Sequence, residues 1–135
     1  MLPRYVPRYS PRSLRIIVAD DEPDSVTALK LLLNDEGHDV IGLGKGTDVM
    51  RTIEEFRPHA VVLDIAMPDL SGYEVAKEIR KRYGQITPLL IAITGRYKQA
   101  SDKMLGQIVG FDHYLLKPYR PDELLALLRF CEPIV

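Results

Sequence analysis

Five short apolar runs recur along the chain: LRIIVA (14–19), HDVIGL (38–43), AVVLDI (60–65), PLLIAIT (88–94) and FDHYLLK (111–117). At their centres no polar residue alternates with the apolar ones, so a strand built on any of them would have to be covered on both faces. That requirement excludes sandwiches and meanders with a wet face. It leaves a parallel sheet with helices on either side.

The intervening segments read as those helices. Pro23 suits the first position of a helix whose Val26, Leu29 and Leu33 share one face before Gly37 ends it. Val49, Ile53 and Phe56 line a second, and Ser71 with Glu74 three residues on forms a capping box for a third, closed by Gly84. A fourth is expected over 97–109, weakened by Gly106, and a Leu-rich fifth over 121–131 after Pro121. The fold class is therefore a doubly wound α/β unit.

At 135 residues the chain can bury one full core, and a single cysteine, Cys131, rules out an intramolecular disulfide framework. Net charge is −1, so bulk electrostatics imply neither nucleic acid nor a membrane surface as partner. Residues 1–13 carry +3 from Arg4, Arg8 and Arg12, interleaved with Pro3, Pro7 and Pro11; they are expected to form a flexible basic, Pro-rich tail or linker. The folded domain is expected over 14–131, with 132–135 as a tail. No run approaches the roughly 18 apolar residues of a membrane span, and a cytoplasmic location is expected.

In an open parallel sheet, function gathers beyond the carboxyl ends of the strands. Those ends carry Asp20 and Asp21, Asp64, Thr94, and Lys117. Adjacent like charges are costly: at about 4 Å and an effective dielectric near 20, a pair repels by roughly 4 kcal/mol. A hard divalent cation among the acids would relieve that cost, and Mg2+ favours a few carboxylates while keeping several waters.

With these residues in place, the sequence resembles the receiver domain of bacterial two-component response regulators. The matching pieces are VADDE after the first run, VVLDIAMPDLSGYEV around Asp64, IAITG, and GFDHYLLKP. The resemblance implies a flavodoxin-like (βα)5 sheet with strand order 2-1-3-4-5. It implies that Asp64 accepts a phosphoryl group from a histidine kinase or a histidine phosphotransfer protein. Asp21, Asp64 and the Ala66 carbonyl would bind Mg2+, with Asp20 acting through water. Thr94, Lys117 and the backbone N–H groups of Ala66 and Gly95 would bind phosphoryl oxygens, and Lys117-Pro118 would be cis. Tyr114 would act with Thr94 as the switch, repacking the face formed by the fourth helix, fifth strand and fifth helix; the residue-level alternative for Tyr114 is a rim side chain with a wet hydroxyl.

On this reading the protein is a signalling switch rather than an enzyme, catalysing at most its own phosphorylation and dephosphorylation. Its downstream reader is a protein partner or an output domain of a longer chain, with no direct nucleic-acid or membrane contact; a homodimer is compatible with it. It is either a stand-alone receiver or one from a larger protein such as a hybrid histidine kinase. Ala66 and Arg96, where receivers vary, are expected to set the acyl-phosphate lifetime. A dehalogenase-type phosphatase would need a second Asp where Ala66 stands, and a flavodoxin-like carrier would not set Asp20, Asp21 and Glu22 against a flavin phosphate. The glycines 42, 44 and 46 lack nucleotide-loop spacing, and His38, His59 and His113 are too dispersed for a metal site.

Overall fold

A computed structural model describes residues 13–95, 110–129 and 131. The elements run β1 (Arg15–Ala19), α1 (Pro23–Asp35), β2 (Asp39–Leu43), a 3-10 turn (Gly46–Asp48), α2 (Val49–Phe56), β3 (Ala60–Asp64), α3 (Gly72–Tyr83), β4 (Leu89–Thr94), β5 (His113–Leu116) and α4 (Pro121–Leu128). The strands pair in parallel in the order β2-β1-β3-β4-β5. The helix expected over 97–109, Arg96 and the two terminal tails lie outside the described residues.

Successive strand residues feed opposite faces, which is why the apolar runs are unbroken. Ile16, Val18 and Val62 pack with Leu29 and Leu33 of α1 and Leu124 and Leu128 of α4 on one side. Ile17, Val61 and Leu63 pack with Ile53 of α2 and Val75 and Ile79 of α3 on the other. Each fully buried side chain of this size contributes roughly 1.5–3 kcal/mol relative to exposure. The two layers leave both rims of the sheet accessible at the strand ends.

Local signals set the helix starts. Pro23 and Pro121 open α1 and α4, and the Ser71 Oγ accepts a hydrogen bond from the Glu74 N–H at 3.3 Å. Gly84 ends α3 with φ +93°, outside the range favoured by side-chain-bearing residues. Two expected boundaries shift. β5 is shorter than the apolar run because the Asp112 carboxylate accepts from Leu90 N and from Arg80 Nη2, both at 2.8 Å, which pulls the strand's leading end into a side-chain network. The last helix stops at Leu128, so Cys131 lies past it; its thiol donates to the His59 carbonyl at 3.1 Å and is pushed up to about 11 by burial and then by Asp112.

Candidate functional site

The rim at the carboxyl ends of β1, β3, β4 and β5 collects the polar residues named from the sequence. Asp20 and Asp64 are 2% and 6% exposed, so both carboxylates are nearly dry, whereas Asp21 faces solvent. One oxygen from each of the three acids lies within 4.8 Å of the others. Lys117 reaches this cluster from the opposite side of β3. Its Nζ sits 2.9 Å from Asp20 Oδ2 and 3.5 Å from Asp64 Oδ2, so the first and last strands meet at one ammonium.

The backbone fixes these positions. The Lys117 N–H donates to the Thr94 carbonyl at 2.8 Å, docking the end of β5 beside the end of β4, and the Lys117-Pro118 peptide is cis. Gly72 at the start of α3 lets the helix close on the acceptor strand: a Cβ there would lie 2.8 Å from the Asp64 carbonyl oxygen and 2.7 Å from Ile65 Cα. The loop between them is tied down by Asp69, which accepts from the N–H groups of Gly46 and Thr47, both at 3.1 Å. Those bonds, the Thr47 one foremost, hold its carboxyl down at about 2.

Electrostatics divide the acids by role. Burial is the main force raising the Asp64 pKa, with Asp20 adding to it, while the Ala66 N–H at 3.0 Å and the Lys117 charge pull the other way. Burial also works against the Lys117 ammonium, but its hydrogen bond to Asp20 and the charges of Asp64 and Asp20 outweigh this and keep it firmly charged. Asp20 is spoken for on both oxygens: Oδ1 accepts from the Glu22 N–H at 3.0 Å and Oδ2 takes Lys117. Two carboxylates thus share one ammonium, and a third, Asp21, stands beside them with no ion pair among the described residues. The set is a fit for a hard, oxygen-seeking dication, with exposed Asp21 and Asp64, whose contact to Lys117 is the longer one at 3.5 Å, as its ligands.

Thr94 is 6% exposed at the end of β4, and Gly95 beside it is open to solvent. The Ala66 N–H is engaged by the Asp64 carboxylate itself. Tyr114 is half-buried, its ring edge-on to Phe111 at a centroid distance of 5.6 Å, and its hydroxyl lies inside the structure rather than wet at the rim. A groove of about 500 Å³ opens beside the acids between α1 and α4, lined by Ala28, Leu32, Lys117, Pro118 and Tyr119 among others. Tyr119 was not among the sequence candidates; burial chiefly, with Asp20 adding and Lys117 opposing, pushes its hydroxyl up to about 12. Among the described residues the larger cleft, about 870 Å³, lies at the opposite rim, against Arg15, Arg57, His59 and Ile86. Asp20 and Lys117 line the smaller opening, not the larger one.

Comparison with known proteins decides the family. Residues 16–129 match the response regulator receiver domain. The chain belongs to that family.

As a receiver domain it is a signalling module rather than a conventional enzyme. It is 35% identical over 115 residues to the DNA-binding response regulator MtrA of Mycobacterium tuberculosis, a match covering 85% of this chain and 49% of MtrA. The chain therefore spans about half the length of the curated relatives it matches. The receiver domain of a sensor histidine kinase from Pseudomonas aeruginosa, described with a magnesium ion coordinated in its active-site cleft, superposes with a TM-score of 0.79 at 28% identity, covering 89% of this chain and 98% of that one. The chemotaxis protein CheY4 of Vibrio cholerae shares the fold, with a TM-score of 0.82 at 22% identity over 90% of this chain and all of that one. A phosphatase of the dehalogenase type and a flavin carrier are not favoured by any of these likenesses. No helix of the described residues is long and apolar enough to cross a membrane.

Proposed function

We propose that Asp64 is the phosphoacceptor of this receiver, taking a phosphoryl group from a phosphohistidine on a kinase or phosphotransfer protein, with Mg2+ held by Asp21, Asp64 and the Ala66 carbonyl. The observation that carries this reading is the convergence of Asp20, Asp21, Asp64 and Lys117 on one rim, with acids in excess. The Asp64 carboxylate oxygen attacks phosphorus, forming an acyl phosphate as the P–N bond to the donor imidazole breaks and that nitrogen keeps the electron pair. When bound, the cation supplies charge neutralisation between the incoming phosphoryl oxygens and the carboxylates. Lys117 then exchanges part of its contact with Asp64 for a phosphoryl oxygen, and the Thr94 hydroxyl and the N–H groups of Ala66 and Gly95 bind the others. The Ala66 N–H must turn from the Asp64 carboxylate to do so.

The groove between α1 and α4 is the approach we assign to the donor, because it opens directly beside Lys117 and Asp20. The folded unit is residues 14–131, with 1–13 and 132–135 as flanking tails. Thr94 and inward-turned Tyr114 form the switch pair, which biases the face carrying β5 and α4 toward one of two packings read by a downstream protein or output domain. A cytoplasmic location follows from the phosphodonor this chemistry requires.

The test is incubation with Mg2+ and acetyl phosphate, followed by intact mass and peptide mapping. One added phosphoryl group is expected, on the peptide carrying Asp64 and absent from Asp64→Asn. An unlabelled wild type under conditions that label another receiver overturns the reading. Dephosphorylation rates of Ala66→Asn and Arg96→Ala, compared with wild type, measure how far these two positions set the lifetime.

A further inference from the structure

At the rim opposite the acids, β1 begins with an unusual pair of hydrogen bonds. The Leu14 N–H donates to Nδ1 of His38 at 3.1 Å, and the Arg15 N–H donates to Nδ1 of His59 at 2.9 Å. His38 immediately precedes β2 and His59 immediately precedes β3, the two neighbours of β1, so consecutive amides at the start of the strand are caught from both sides by imidazoles. The carbonyls of the same two residues take the N–H groups of Asp39 and His59, at 2.9 and 2.8 Å. Leu14 is 3% exposed, so its amide has little recourse to water.

An Nδ1 that accepts carries no proton; the neutral ring must bear its proton on Nε2. Protonation puts the ring's second N–H on the accepting Nδ1, and a donor then faces a donor. We propose that His38 and His59 form an acid-released clamp on the leading end of β1: neutral imidazoles hold the first rungs of the sheet, and protonation lets them go.

The surroundings resist protonation unequally. Burial lowers the pKa of both rings; Glu36, at the end of α1, partly opposes this for His38, while Arg15 reinforces it for His59. Around His59, among the described residues lining the same 870 Å³ cleft, the remaining titratable groups are Arg57, Glu54, Tyr83 and the neutral Cys131 thiol. Because both pKa values are depressed, the stabilisation is complete above the ordinary imidazole value near 6.5 and is lost as pH falls through the lowered values. Protonation of His59 would also add a third positive group to a cleft edge already carrying Arg15 and Arg57.

Two measurements test the clamp without reference to phosphorylation. Imidazole 15N shifts of the wild type at about pH 7.5 should show both rings protonated on Nε2 alone. Amide exchange between about pH 7.5 and about pH 5 should show protection factors at Leu14 and Arg15 falling roughly tenfold, while Ile17 in the same strand changes little. His38→Asn and His59→Asn, which keep an acceptor that cannot titrate, should each remove the pH dependence at their own amide only. An Nδ1–H tautomer at neutral pH, Leu14 and Arg15 tracking Ile17 through the titration, or unchanged pH dependence in the Asn variants overturns the proposal.

Discussion

Two ionic clusters occupy opposite ends of this small domain, and they are built on opposite principles. Arg80 of α3 has a side chain only 4% exposed, yet every direction it faces is answered: Nε donates to the Gly110 carbonyl at 2.9 Å, Nη1 to the Pro88 and Gly84 carbonyls at 2.9 and 3.3 Å, and Nη2 to Asp112 at 2.8 Å. Gly110 makes room for it, with φ +113° and no Cβ to collide with the Arg80 stem. One guanidinium meets one carboxylate and three carbonyls, and nothing further is called for. At the other rim one ammonium pairs with Asp20 and Asp64 in a cluster of three carboxylates. A charge-complete joint holds a fold together; a charge-deficient one, kept in place by the same kind of scaffold, has the make-up of the cation site proposed above.

The largest effect should come from breaking the complete joint. Arg80→Met leaves three carbonyls and the Asp112 carboxylate without their donor. Because Asp112 is about a third exposed, a loss near the low end of the range for broken buried pairs is expected, about 3 kcal/mol by urea denaturation. At the deficient joint, Mg2+ should add stability instead. An increment of about 2.7 kcal/mol is expected at a concentration 100-fold above its Kd, and Asp21→Asn should abolish it while Arg80→Met, if still folded, retains it.

Smaller and of opposite sign, Asp64→Asn should raise Tm by a few degrees when no divalent cation is present, because the wild-type carboxylate is raised in pKa chiefly by burial and is therefore a cost when ionised. A raised folded pKa means that the cost exists at neutral pH and is relieved as pH falls through it, so the advantage of the variant should shrink on acidification. A Tm lower than wild type at pH 7 would place the acid cluster with the self-sufficient kind. Smallest of all, Arg82→Gln, which removes a 2.6 Å pair with Glu54 between two side chains about half exposed, should cost under about 1 kcal/mol.

The two clusters also differ in how visible they were from sequence. Strand-end acids are legible because each directly follows or ends an apolar run, and parallel strands bring their carboxyl ends to one rim; the spacing of Asp20, Asp21, Asp64 and Lys117 needed only that geometry and a family resemblance. Arg80 sits in KEIRKRY, a stretch that reads as a solvated basic face. Its partners are mostly backbone carbonyls, which leave no trace in residue types, and Asp112 is 32 positions away. The histidines escaped for the same reason: as acceptors of main-chain N–H groups they need no metal-like spacing. Tyr114 was left open between wet and buried, since a β-strand tyrosine at a sheet edge supports either, and packing against Phe111 decided it.

The bond from Lys117 to Asp20 joins residues 97 positions apart. On a ribosome adding roughly 5–20 residues per second, Asp20 therefore emerges about 5–20 s before the amine that partners it. Until β5 is threaded beside β4, the nascent chain holds its strand-end acids without the counter-charge that organises them. A product truncated before Lys117 would thus carry the acids with no amine to organise them.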